Sequence, residues 1–211
     1  PGLWIFIKEV FNVKISGKED IRALTAMGII AEIGHSDTGE EIVVFKESKT
    51  VIAEQFRALR TNMQFLLAGE DEKVILMTSS MSGEGKSFVA LNLAVTLALS
   101  GEKVALLELD LRKPKISEAL ELKNSKGFTQ YIIGQAELTE IIQPSGVVPS
   151  LHIMPSGAVP PNPSQLLSSK KLNELFDTLK KEYDYIVVDS APVGLVTDAQ
   201  LLSKYSDTVL Y

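Results

Sequence analysis

From residue 73 onward, short unbroken apolar runs alternate with longer stretches whose apolar positions recur at helical spacing. Residues 74–78 form one such run, as expected of a central parallel strand buried on both faces. Residues 104–109, 151–154 and 185–188 read as further strands, and 209–211 begin another. Between them the spacing predicts a helix over 86–100 that stops at Gly101, short helical pieces at 117–122, 128–133 and 138–142, and a longer helix over 165–183. Strands alternating with helices imply right-handed crossovers, hence an α/β fold with a doubly wound, mostly parallel sheet and helices on both faces. No internal repeat is present.

The first third reads differently. Residues 3–13 have a helical pattern, 19–27 a second short helix capped by Gly28, and 29–33 a strand. The polar, turn-like stretch 35–41 places a boundary near Val44, giving an arm over 1–45 and one nucleotide-binding domain over 46–211. Within that domain Ile52, Phe56, Leu59, Met63, Phe65, Leu66 and Leu67 predict a helix over 51–68. The chain opens without Met and stops at Tyr211 inside an apolar run, which reads as a fragment of a longer protein. No apolar stretch approaches the ~20 residues that span a bilayer. Leu3-Trp4-Ile5-Phe6-Ile7 is either the apolar side of an amphipathic helix or the cytoplasmic end of a preceding membrane helix.

Composition narrows the chemistry. With 211 residues the chain builds one good core and a short appendage. The formal charge of -6 argues against a nucleic-acid coat, since polyphosphate attracts basic surfaces. The absence of cysteine rules out disulfides and thiolate zinc sites, and His35 and His152 leave little for an imidazole site.

The segment Ser79-Ser80-Met81-Ser82-Gly83-Glu84-Gly85-Lys86-Ser87 lies between a predicted buried strand and a predicted helix, the context a Walker A phosphate loop requires. Glycines let successive amides point inward around phosphate oxygens, the helix start adds its positive dipole end, and Lys86 adds a full charge. The nucleotide-binding set is therefore Ser82, Gly83, Glu84, Gly85, Lys86, Ser87 and Phe88, with the Ser87 hydroxyl placed for Mg²⁺. Carboxylates that hold Mg²⁺ and orient the attacking group belong at carboxyl ends of parallel strands. Asp189, after Ile186-Val187-Val188 and three residues before Pro192, reads as a Walker B acid. Glu108 and Asp110 end a second strand, and their spacing of two puts them on one side.

Walker A, this second acidic strand running into Arg112, and a Walker B ending in proline together resemble the bacterial tyrosine kinases. Two further segments are similar to that family: the Glu54-x-x-Arg57-x-x-Arg60 stripe, and the proline-rich loop from Gly157 through Pro160, Pro161 and Pro163 to Leu167. The resemblance covers residues 51–211. Partition and division-site ATPases share the fold but carry an extra lysine where this chain has Met81. The family has aspartate where Glu108 stands, so Glu108 reaches Mg²⁺ through water or not at all, and Asp110 is the better-supported acid.

The resemblance implies an ATP- and Mg²⁺-dependent tyrosine autokinase. Lys86, Asp110 and Asp189 would be catalytic, Ser87, Asp110 and Asp189 would hold the metal, and Glu54, Arg57 and Arg60 would mediate a homo-oligomeric ring. It further implies a place at the cytoplasmic face of the membrane, an upstream transmembrane chain-length regulator, and control of surface polysaccharide synthesis or export. A partition-type ATPase switch and a nucleotide-dependent assembly module with little kinase activity are the competing readings.

Overall fold

The computed structural model describes residues 15, 17–67, 69 and 71–211, so the expected helix over 3–13 lies outside the described residues. The chain divides into two compact units, Pro1–Glu32 and Ile33–Tyr211. In the first, helix α1 (Lys18–Leu24) ends at Thr25 rather than running to a Gly28 cap, and it buries none of its residues. Residues 29–33 form no strand among the described residues.

The second unit is built on a six-stranded sheet in the order β3-β4-β2-β5-β1-β6. Its strands are β1 (Val74–Met77), β2 (Val104–Leu109), β3 (Gln143–Pro144), β4 (Leu151–Met154), β5 (Tyr185–Ser190) and β6 (Thr208–Leu210). All pair in parallel except the edge strand β3, which runs antiparallel to β4. β3 was missed in the sequence because two residues carry no period and one of them is Pro144, a residue that sheets admit at edges. The residues of β1 and β2 are buried throughout, as a strand covered on both faces requires, Glu108 of β2 included.

Side-chain alternation sorts the sheet into two faces. Val74, Leu76, Ala105, Leu107, Leu109, Ile186 and Val188 join one core cluster with Leu172, Leu175, Phe176 and Leu179. Those four come from helix α8 (Lys171–Glu182), which follows α7 (Pro163–Leu167). The single helix expected over 165–183 is thus two. Ser168 N–H bonds back to Ser164 and Gln165 carbonyls, and the Ser168-Ser169 pair favours a turn over helix continuation. The cluster also takes in α5 (Phe128–Ile132), α6 (Leu138–Ile141) and α9 (Asp198–Ser203) through Phe128, Ile141 and Leu202. α9 was not foreseen, since six residues are too few to display a helical period.

Helix α3 (Lys86–Leu99) is apolar on all sides, with every residue from Ala90 to Ala98 buried, which marks a helix enclosed between layers. α2 (Val51–Leu66) covers it with Ala53, Phe56, Leu59 and Met63, and the rings of Phe56 and Phe88 meet edge to face at 6.0 Å. The short α4 (Ile116–Ala119) follows β2. Asn92, fully buried on α3, joins the stretch before Val44 to this helix. Its Oδ1 accepts Val43 N–H at 2.9 Å and its Nδ2 donates to Glu41 C=O at 2.9 Å, tying residues 41–43 to the central helix.

Asn92→Leu keeps the side-chain volume but strips both backbone groups of their partner. The expected loss is about 2–6 kcal/mol, taking roughly 1–3 for each of the two groups left without a partner. Urea denaturation of the variant against wild type measures it; an unchanged midpoint would show that residues 41–43 hold to α3 without this side chain.

Candidate active site

The loop between β1 and α3 contains Gly83 at φ 94° and Gly85 at φ 89°, a left-handed backbone that side-chain-bearing residues rarely adopt. An added Cβ at either would meet nothing within 4 Å, so both glycines are required by backbone conformation and border open space. The loop is braced from below. Ser79 Oγ donates to Met81 C=O at 3.0 Å, and Ser80 N–H donates to Glu84 Oε2 at 2.9 Å. The segment after β5 clamps it from the side, with Val193 and Gly194 N–H donating to the Ser79 and Ser80 carbonyls at 2.9 and 3.2 Å. At Gly194 a Cβ would lie 2.4 Å from Ser80 C=O, so only glycine permits this approach.

A cleft of ≈ 560 Å³ opens above the loop. Ser82, Gly83, Gly85, Lys86, Ser87 and Phe88 line it, as does Asp110; Glu84 does not, its carboxylate being turned to Ser80 N–H. Glu41, Lys113, Lys115, Glu118 and Pro192 line it too, and sequence reasoning assigned none of them. Glu41 arrives from the arm held by Asn92, and the lysines from the loop after β2. Neither placement has a local sequence signal.

Asp189 sits beneath the cleft floor with no solvent exposure. Its Oδ1 pairs with Lys86 Nζ, and its Oδ2 accepts Ser87 Oγ at 2.8 Å. Burial pushes its carboxyl up to about 6 and the neighbouring Asp110 charge adds to this, while Lys86 and the Ser87 hydroxyl work against it. Asp110 Oδ2 lies 3.8 Å from the same Lys86 Nζ, and its Oδ1 accepts Arg112 and Lys113 N–H at 3.3 and 3.1 Å. One lysine therefore stands between two strand-end carboxylates. Glu108 shares the sheet face of Asp110 but not its surroundings: all its acceptors face backbone amides of Ile116, Ser117 and Ser156. Of the two expectations for Glu108, reaching Mg²⁺ through water or not at all, this arrangement fits the second.

Arg112 ends the acidic strand and leads elsewhere. Its Nε and Nη2 donate to Asp198 at 2.8 and 3.3 Å, Nη2 also donates to Ser164 Oγ, and Ser164 Oγ donates to Asp198 Oδ1 at 2.6 Å. The hydrogen bond to Asp198 raises the Arg112 guanidinium further above its already high value. This network joins the loop after β2, the proline-rich segment and α9. Asp198 was missed because nothing in the sequence pairs it with an arginine so far upstream.

The donor set fits a nucleoside triphosphate with Mg²⁺. Left-handed glycines form an open cradle, a lysine stands at its base, and a hydroxyl and carboxylate are paired beside it. The Ser87 hydroxyl and Asp189 carboxylate suit Mg²⁺, which is held by one or two protein oxygens plus phosphate and water.

A family profile described as an AAA domain matches residues 72–211. The tyrosine-protein kinase YwqD of Bacillus subtilis (strain 168) is 38% identical over 166 residues, covering 79% of this chain and 70% of YwqD. The chain belongs to the bacterial tyrosine-kinase family. Its fold agrees with solved members. The chimerical protein CapA2B2 superposes with a TM-score of 0.85 at 33% identity, covering 92% of this chain and 84% of that one. The kinase domain of the Escherichia coli tyrosine kinase ETK gives 0.85 at 26% identity, covering 93% and 80%. The septum site-determining protein MinD complexed with Mg-ADP, from Pyrococcus horikoshii OT3, reaches only 0.55 at 28% identity, covering 65% and 56%. The kinase likeness thus takes in a larger share of the chain than the division-site likeness does.

In this family member, Lys86→Met is expected to lower ATP-dependent phosphoryl transfer by about 10²–10³-fold, as loss of one preorganised electrostatic contact does elsewhere. Removing the ammonium also takes away an interaction that holds the Asp189 carboxyl down. Steady-state rates with circular dichroism as a folding control test it; unchanged turnover in a folded variant would overturn the phosphate-loop assignment.

Proposed function

We propose that this chain transfers the terminal phosphoryl group of ATP to tyrosine, on neighbouring copies of itself. The observation that carries the reading is the convergence of Lys86 and Ser87 on the buried Asp189, with Asp110 3.8 Å from the same ammonium. Lys86 neutralises charge that develops on the transferred group, and Ser87 with Asp189 would hold Mg²⁺, which when bound would supply Lewis-acid neutralisation of phosphate charge. Asp110, at the cleft wall and 6% exposed, accepts the proton of the incoming tyrosine hydroxyl. With a nucleotide bound, Lys86 exchanges its carboxylate partners for phosphate oxygens, which frees Asp110 for that task.

Assembly is proposed to run through Glu54, Arg57 and Arg60 on α2. Arg57 is partly engaged within the chain, pairing with Glu54 and donating to Ser48 C=O at 2.6 Å. Arg60 differs: its Nε is buried without an acceptor among the described residues, a donor that a carboxylate across an interface would satisfy. As part of a longer protein or complex at the cytoplasmic face of the membrane, beside a transmembrane chain-length regulator, the domain would control synthesis or export of a surface polysaccharide. Among the described residues no helix is long and apolar enough to cross a membrane. The partition-type switch is disfavoured by the exposed Met81 at the cleft, where those ATPases carry lysine.

Incubation with radiolabelled ATP followed by phosphoamino-acid analysis is expected to yield phosphotyrosine; turnover to ADP and phosphate with no labelled protein would favour the switch. Arg57→Ala combined with Arg60→Ala is expected to weaken self-association by about thirtyfold or more, the equivalent of roughly 2 kcal/mol. ATP affinity should hold. Light scattering at matched concentrations, with a nucleotide titration beside it, decides this; a double variant that assembles like wild type would make the stripe a solvated helix face.

A further inference from the structure

Glu108 is a fully buried charged side chain beside the site that phosphoryl transfer, as derived above, does not use. It stands in register with Asp189 across the β2–β5 ladder, so the two side chains project from the same face. Yet its oxygens are occupied by the backbone. Oε1 accepts Ile116 N–H at 2.6 Å and Ser117 N–H at 3.0 Å, and Oε2 accepts Ser156 N–H at 3.1 Å. Three amide donors satisfy a buried carboxylate without a counter-ion. They belong to two separate segments, the start of α4 and the turn after β4. An aspartate would be shorter by one methylene, about 1.5 Å, and could not serve both from the same backbone position.

The stretch that Glu108 anchors is a wall of the cleft, since Lys113, Lys115 and Glu118 line it. Asp110 fixes the near end of that stretch through Arg112 and Lys113 N–H, and Glu108 fixes the far end. Lys113 is the last residue that Asp110 holds, and the chain runs from it directly to the Glu108 anchor at Ile116. Lys115 pairs with Glu118 at 3.3 Å, whereas the Lys113 ammonium has no hydrogen-bond or ion-pair partner among the described residues.

We infer that Glu108 is a positioning residue: by binding the start of α4 to the turn after β4 it holds Lys113 at the cleft, where the ammonium meets the nucleotide's phosphates, and it takes no part in holding the metal. This rests on the phosphoryl-transfer reading above. The two acids of the strand thus divide their work, Asp110 facing the reacting groups and Glu108 the scaffold.

The test compares Glu108→Asp, Glu108→Gln and Lys113→Ala in the chain as it stands, by amide hydrogen exchange, ATP titration and steady-state kinetics. Glu108→Asp keeps the charge and loses the reach. It is expected to speed exchange by on the order of tenfold in residues 113–119 and 155–158 while leaving 79–87 unchanged. KM and Kd for ATP should rise several-fold, with kcat and the half-saturating Mg²⁺ concentration within about twofold of wild type. Lys113→Ala should reproduce the affinity loss without the exchange change, and the double variant should be no worse than the weaker single. If Glu108→Asp does not fold, Glu108→Gln, which keeps the reach, is judged by the same readouts. A tenfold rise in half-saturating Mg²⁺ with exchange unchanged would make Glu108 a metal ligand and overturn the inference, as would wild-type exchange and ATP affinity in Glu108→Asp. Wild-type protein that binds ATP but makes no phosphotyrosine would sink the kinase reading alone, and exchange with ATP affinity would still judge Glu108.

Discussion

A carboxylate without solvent contact is expensive to keep charged unless cations and hydroxyls surround it, and Asp189 imposes that requirement on the whole site. Its position at the carboxyl end of β5 forces the first turn of α3 to lie where Lys86 and Ser87 can reach it. That in turn sets the direction of the loop that precedes α3, and so the shape of the cradle. The tension left over is visible in the carboxyl value of about 6, which burial raises and the lysine and hydroxyl only partly restore. A divalent cation and phosphates arriving together would relieve it, which makes the same pairing a structural lock and a binding site.

Around this lock the sheet delivers groups in register. Asp189 stands between Met77 on one side and Glu108 on the other, so the phosphate loop, the buried acid and the second acidic strand leave the sheet at the same level. The connections beyond the strands then hold one another. Gly194 lets the segment after β5 bond to the phosphate loop, Glu108 bonds α4 to the turn after β4, and Arg112 bonds the loop after β2 to Asp198 and Ser164. Because the loops brace one another in this way, the cleft wall does not depend on any single loop's own conformational preference.

The arm upstream of α2 is part of this arrangement. Asn92 holds residues 41–43 against α3, and Glu41 reaches the cleft that the phosphate loop forms. Arg57 holds the next stretch through Ser48. A helix stripe proposed to meet neighbouring copies is therefore attached, through a few residues, to a segment that lines the cleft, so assembly and nucleotide occupancy have a physical route for coupling.

Much was determined by the sequence itself. Unbroken apolar runs marked β1, β2 and β5 because a strand covered on both faces can carry little polarity, and Gly-Glu-Gly-Lys-Ser marked the cradle because that backbone needs left-handed glycines. Spacing alone put Glu108 and Asp110 on one face. It could not tell which acid meets Lys86, since that depends on where Ile116, Ser117 and Ser156 offer their amides. The break between α7 and α8, the edge strand β3 and helix α9 were hidden because each is too short for a period. Asp198 and Asn92 were hidden because their partners lie far along the chain. Local pattern determines what a segment can become, while the pairing of buried polar groups is a property of the packed molecule, and only the tertiary structure decided it.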